Sequence, residues 1–71
     1  MVNSNSLKER AREMGIKQRE IALAVGIQQS SLNLKINNKR PMNLEEAEII
    51  AKILGISNSE FGFYFFNKGV A

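Results

Sequence analysis

The sequence contains no cysteine, histidine, aspartate or tryptophan, and only one proline and one tyrosine. Each absence closes a class of chemistry. Without Cys and His there is no zinc site of the Cys/His type, no haem ligation by those residues and no disulfide to staple the chain. Cys-His and Ser-His-Asp nucleophile systems are equally out of reach. All seven acidic residues are Glu. They form no pair of catalytic carboxylates at a defined spacing, and no phosphate-binding glycine loop accompanies them. An enzyme therefore has little support, and no cofactor is expected. No apolar run approaches the ~18 residues of a membrane span. The amino terminus, Met-Val-Asn-Ser-Asn-Ser, lacks the charged and apolar regions of a signal peptide. By default the chain reads as soluble and cytoplasmic.

What is present fits one small domain over residues 1–71, 44% hydrophobic. A chain of this size buries only roughly 60% of the surface that its unfolded form exposes. With no staple, helix packing must hold it, alone or with a partner chain. The net charge is +3 and the isoelectric point about 9.6. That charge is unevenly spread. Residues 1–44 carry eight Lys/Arg against three Glu, and residues 45–71 carry two Lys against four Glu, giving +5 and −2. A basic front and a mildly acidic back suggest one face that meets a polyanion. Ordinary solvated helix faces would give the same totals.

The chain divides into five short helical segments, an all-α pattern with no internal repeat and no linker. Ser6-x-x-Glu9 has capping-box spacing and opens a helix through Leu7, Ala11 and Met14 to Gly15. A second helix is predicted from about Gln18 to Val25, with Ile21, Ala22 and Val25 inward and Gly26 at the turn. A third runs from Gln28 or Gln29 to about Asn37, stopped by Asn38, the best non-glycine residue for a left-handed cap. Asn43-x-x-Glu46 opens a fourth, with Ala47, Ile50, Ala51 and Leu54 on one face. Ser57-x-x-Glu60 opens the fifth.

The second and third segments, joined at Gly26, have the form of a helix-turn-helix over about residues 17–37. A plain αα-corner uses the same devices, so the outward chemistry of the third helix decides. On a helical wheel Leu32 and Ile36 mark its buried stripe. Leu34 lies roughly opposite, Ser30 is close to it, and Asn33 and Asn37 lie on one flank. Gln28 and Gln29 stand at the amino end, which meets the bases first when such a helix enters the major groove. Amides pair bidentately with adenine, hydroxyls serve several bases, and an apolar group meets a thymine methyl. A merely solvated face would carry Glu and Lys. Leu34 keeps two readings, a thymine contact or a protein contact.

From Leu7 to Phe61 the chain resembles the phage Cro and repressor family of helix-turn-helix regulators, the lambda-repressor-like fold. The resemblance rests on Leu7-Lys-Glu, Gln18-x-x-Ile-Ala, Gly26-Ile27-Gln-Gln-Ser-Ser-Leu32, Asn37-Asn-Lys-Arg40 and Ile50-Ala-Lys-Ile-Leu-Gly-Ile56-Ser. No piece is diagnostic alone; the ordered set is specific. It implies that Gln18 touches a phosphate and braces Gln29, which reads a base. Ser30 and Asn33 would face bases too, with Gln28 at the rim. Asn37, Lys39 and Arg40 match the loop that grips the sugar-phosphate backbone. Lys17 stands where the family prefers Thr or Ser, which loosens that helix start or brings a cation to the DNA. Asn38 replaces the usual Gly.

The function that follows is sequence-specific regulation of transcription at a double-stranded DNA operator. One module buries only ~600–1,000 Å² on DNA, so a homodimer on a palindromic site is expected. A competing repressor protein is a further expected partner. The alternative is an antirepressor that keeps the fold but binds another repressor. The tail, residues 61–71, holds every aromatic residue: Phe61, Phe63, Tyr64, Phe65 and Phe66. Its β-propensity suggests an extended segment. It either folds back as core or pairs with a second copy, and a strand could do both.

Overall fold

In the computed structural model, which describes residues 1–66, five helices follow one another. They are α1 (Ser4–Met14), α2 (Gln18–Val25), α3 (Gln29–Ile36), α4 (Leu44–Leu54) and α5 (Asn58–Phe65). No strand occurs among the described residues, so the fold is all-α. None of the described helices is long and apolar enough to cross a membrane.

Local chemistry starts most of these helices where the spacing predicts. At α4 the Asn43 side chain accepts from the Glu46 N–H (2.8 Å), and the Glu46 carboxylate accepts from the Asn43 N–H (2.9 Å). Two otherwise orphaned donors are thereby satisfied together. At α5 the Glu60 carboxylate accepts from the Ser57 N–H (3.3 Å) and hydroxyl (3.1 Å). Helix α1 departs from expectation. Its cap is Asn3 rather than Ser6, and the Asn3 side chain accepts from the Ser6 N–H at 3.4 Å. The Asn3 N–H donates to the Tyr64 carbonyl (2.8 Å), so a residue of α5 fixes the entry to α1.

Leu7, Ile21, Leu32, Ile50 and Leu54 are the largest fully enclosed side chains, drawn from α1 to α4. Helix α2 packs on α3 and α4, and α1 packs on α4 and α5. Arg10 secures one of these contacts. Its Nε donates to the Leu54 carbonyl (2.8 Å) and its Nη2 to the Gly55 carbonyl (2.9 Å). A cation thus sits on carbonyls that the end of α4 leaves unbonded. Met14, expected on the buried stripe of α1, is instead 45% exposed. It ends α1 beside Gly55, where α4 has already stopped.

The aromatic segment is also not extended. Phe61 to Phe65 belong to α5, and Phe66 is its carboxyl-terminal cap. Helical spacing brings Phe61 and Phe65 to a ring separation of 4.8 Å. Phe65 is buried, Phe61 and Tyr64 pack half-buried on the core, and Phe63 and Phe66 are exposed. Residues 67–71 of the predicted tail lie outside the described residues.

Two polar contacts tie distant parts of the chain and carry testable consequences. Asn38 holds φ at 61°, and its amide clasps Val2 on both sides: Oδ1 accepts from the Val2 N–H and Nδ2 donates to the Val2 carbonyl, each at 2.8 Å. Glycine would accept the backbone angle more readily but cannot make the clasp. Asn38→Gly is therefore expected to destabilise by about 1 kcal/mol, the lost bonds outweighing the relieved strain. Amide exchange at Val2 should accelerate markedly. An unchanged exchange rate would show that the clasp contributes nothing.

Glu46 is buried against Lys35, with which it forms an ion pair. Burial disfavours its charge, but the Lys35 hydrogen bond, the Asn43 N–H and the Lys35 charge prevail and lower its pKa below the ordinary 4.5. A lowered pKa gives stability that is fully present above the ordinary value and is lost as pH falls through the folded one. Glu46→Gln preserves a cap for α4 while removing the charge. It should cost about 1–3 kcal/mol at neutral pH. The gap to the parent should narrow as the solution is acidified below the ordinary carboxylate range. Melting curves taken across that range check this; a gap independent of pH would contradict it.

Candidate nucleic-acid interface

The turn between α2 and α3 determines which residues face outward. Gly26 adopts φ of 86°, and a Cβ there would meet no atom within 4 Å. Glycine is needed for its backbone angle, not for space. Its N–H donates to the Ala22 carbonyl (2.8 Å), as does that of Ile27 (3.0 Å). This closes α2 and starts the crossing. Buried Ile21 and Ala22 on α2 and Leu32 and Ile36 on α3 then fix the two helices together, with Val25 and Ile27 half-buried at their edge.

Because α3 fully buries only Leu32 and Ile36, Gln29, Ser30 and Asn33 of this helix stay exposed. Gln28, Gln29 and Ser30 are exposed at its amino end, and their side chains make no hydrogen bond among the described residues. All their donors and acceptors are unspent. Asn33 is exposed and Leu34 half-buried on the following turn. Leu34 is not part of the core. Its carbonyl accepts from the N–H groups of Lys39 (2.8 Å) and Arg40 (3.3 Å), which folds the loop after α3 into a defined turn. The Arg40 guanidinium lies over α3, with Nη1 3.4 Å from the Ser31 hydroxyl.

Gln18 opens α2 and is half-buried. Its hydrogen bond runs to Asn33, whose Nδ2 donates to Gln18 Oε1 at 3.3 Å, not to Gln29 as the family resemblance implied. Asn37 continues the row: its Nδ2 donates to Asn33 Oδ1 (3.1 Å) and to the Asn33 carbonyl (2.9 Å). Lys17 precedes α2 and has no acceptor with which to cap it; Glu20 supplies half a box by accepting from the Lys17 N–H (3.2 Å). The side chains of Lys17, Arg19 and Lys39 are exposed and make no hydrogen bond or ion pair among the described residues.

The charge on the basic front is therefore unequally available. Arg10 is spent on the end of α4 and Lys35 on Glu46. Lys17 and Arg19 stand on either side of Gln18 in the chain, Lys39 and Arg40 follow α3, and all four are exposed and able to meet phosphate. Two cations of this region, Lys8 and Arg19, were not legible beforehand as part of it. Lys8, which looks like a solvated filler of α1, reaches across to Asn37 (2.7 Å), and Arg19 adds an exposed cation next to Gln18. No local pattern signals Lys8, since its partner is 29 residues away. Phe65 and Phe66 line a groove with Val2, Pro41 and Met42 and with Asn38, Lys39 and Arg40 of the loop after α3.

No curated protein matches this chain. The sequence profile of the helix-turn-helix family matches residues 7–61, from the first turns of α1 into α5. That span is most of the chain and includes every element of the α2–α3 face. The chain belongs to the helix-turn-helix family of DNA-binding regulatory domains.

Proposed function

We propose that the chain is a sequence-specific transcription regulator of the Cro/repressor type, acting as one domain over residues 1–71. Helix α3 enters the major groove of an operator. Gln28, Gln29 and Ser30 read base edges, with Asn33 and Leu34 on the next turn, Leu34 against a thymine methyl. Lys17, Gln18, Asn37, Lys39 and Arg40 hold the sugar-phosphate backbone. The observation that carries this reading is the exposed amino end of α3, whose amides and hydroxyl keep all their donors and acceptors. Side chains of this kind discriminate base pairs, whereas lysine and arginine supply affinity without sequence information.

A single α3 offers few base contacts, so two copies act together on a palindromic site. Phe63 and Phe66, the aromatic residues left exposed, are the candidates for contact between copies. Binding then depends steeply on salt, because each phosphate neutralised releases counterions. The test is titration of duplex DNA with the purified protein at several salt concentrations, with the mass of the complex measured. Two copies per site and a steep fall of affinity with salt are expected. Failure to bind any duplex at low salt, with tight capture of another repressor instead, would replace this reading with that of an antirepressor.

A further inference from the structure

Four polar side chains from α1, α2, α3 and the turn after α3 form one unbroken row. Lys8 Nζ donates to Asn37 Oδ1 (2.7 Å), Asn37 Nδ2 to Asn33 Oδ1 (3.1 Å), and Asn33 Nδ2 to Gln18 Oε1 (3.3 Å). The row has a direction, and its origin is chemical. An ammonium group has three donors and no acceptor, so Asn37 must turn its oxygen toward Lys8. Its NH₂ then points to Asn33, which must answer with oxygen and pass its own NH₂ to Gln18. Gln18 receives the last bond on oxygen and keeps its NH₂ group unspent. An amide turned end for end has nearly the same shape, and two contacts hold Asn37 against that turn: Lys8 on its oxygen, and the Asn33 carbonyl, which accepts from Asn37 Nδ2 at 2.9 Å.

We propose that Lys8, acting with the Asn33 carbonyl, is a positioning residue of the DNA interface that holds the amide row in the order in which Gln18 offers a donor, not an acceptor, to phosphate. The proposal rests on the DNA-binding reading above. Gln18 is the first residue of α2, where backbone N–H groups also lack helical partners. A side-chain NH₂ there adds to a set of donors, while an amide oxygen would oppose the phosphate charge. The same bonds leave Asn33 with one N–H and one lone pair, so it serves first as a strut between α2 and the turn after α3.

The experiment has two arms, using Lys8→Met, which removes the donors, and Lys8→Arg, which keeps donors only. In the free protein, the side-chain NH₂ resonances of Asn37, Asn33 and Gln18 are followed by nitrogen-15 NMR. All three should move in Lys8→Met and return near their original positions in Lys8→Arg. Movement of Asn37 alone would overturn the proposal. Asn37→Ala, which cuts the row at its second link, must likewise move Asn33 and Gln18. In the DNA arm, Lys8→Met should weaken binding about tenfold in the parent protein and less than about twofold when Gln18 is already Ala. Equal losses in both backgrounds would make Lys8 a plain surface charge and overturn the proposal. If the unaltered protein binds no DNA, the regulatory reading falls and the phosphate role with it. The resonances of the free protein decide separately whether Lys8 directs the row.

Discussion

Replacing Leu32 with alanine is expected to cost about 2–5 kcal/mol, the range for truncating an enclosed leucine in a packed core. Leu32 is completely buried and belongs to the small set of large side chains enclosed between α1 and α4. Truncation removes its transfer energy and leaves a cavity. The domain has little reserve, because a chain of 71 residues at ~0.05–0.15 kcal/mol per residue holds no more than about 11 kcal/mol. The melting temperature should therefore fall by about 10 °C or more, measured by far-ultraviolet circular dichroism. DNA binding should be lost in parallel, because Leu32 is one of the buried side chains that hold α3 at its crossing with α2. A loss below about 1 kcal/mol would mean that the helices are held by something other than the Leu32 contact.

The second large effect separates readers from grips. Gln29→Ala should cost about 1–3 kcal/mol of binding at the preferred site and relax the preference at one base pair. Its effect on melting temperature should be small, since Gln29 is exposed and makes no side-chain bond among the described residues. Lys39→Ala should weaken all sequences alike and flatten the dependence of affinity on salt by about one counterion. The two variants are compared on a set of duplexes differing by single base pairs, at two salt concentrations. Identical profiles would erase the distinction between base reading on α3 and backbone contact in the loop that follows it.

How much of this was legible in the sequence depended on the distance between partners. The Asn43/Glu46 cap joins residues three apart, and the turn at Gly26 needs a single residue of unusual backbone freedom; both were readable directly. The left-handed Asn38 was readable for the same reason. Its clasp on Val2 spans 36 residues, the Arg10 cap on α4 spans 44 or 45, and Lys8 to Asn37 spans 29. No local spacing encodes such contacts. They emerge only once helix packing has brought the segments together. The same cause misled the reading of α1, where Ser6-x-x-Glu9 has a capping pattern but Tyr64 and Asn3 fix the start three residues earlier.

The aromatic segment failed differently. Phe and Tyr favour strands in isolation. Here the Ser57/Glu60 start commits the chain to a helix, and burial of Phe65 with half-burial of Phe61 and Tyr64 rewards that choice. Propensity is a weak preference that packing overrides. Among the candidate site residues, sequence reasoning found the α3 face because amides and serine at outward positions are a local, periodic signal. It misassigned the partner of Gln18, since Gln29 and Asn33 lie on the same helix and only the crossing geometry decides between them.

Sequence reading by α3 is the property on which regulation by this domain depends. Selection of bound duplexes from a random pool at fixed salt, followed by footprinting on the enriched sequence, tests it most directly. The expected result is one palindromic sequence, with half-site centres about one helical turn apart and symmetric protection by two copies. A pool that stays random while binding persists would contradict it, because the protein would then hold DNA by its cations alone.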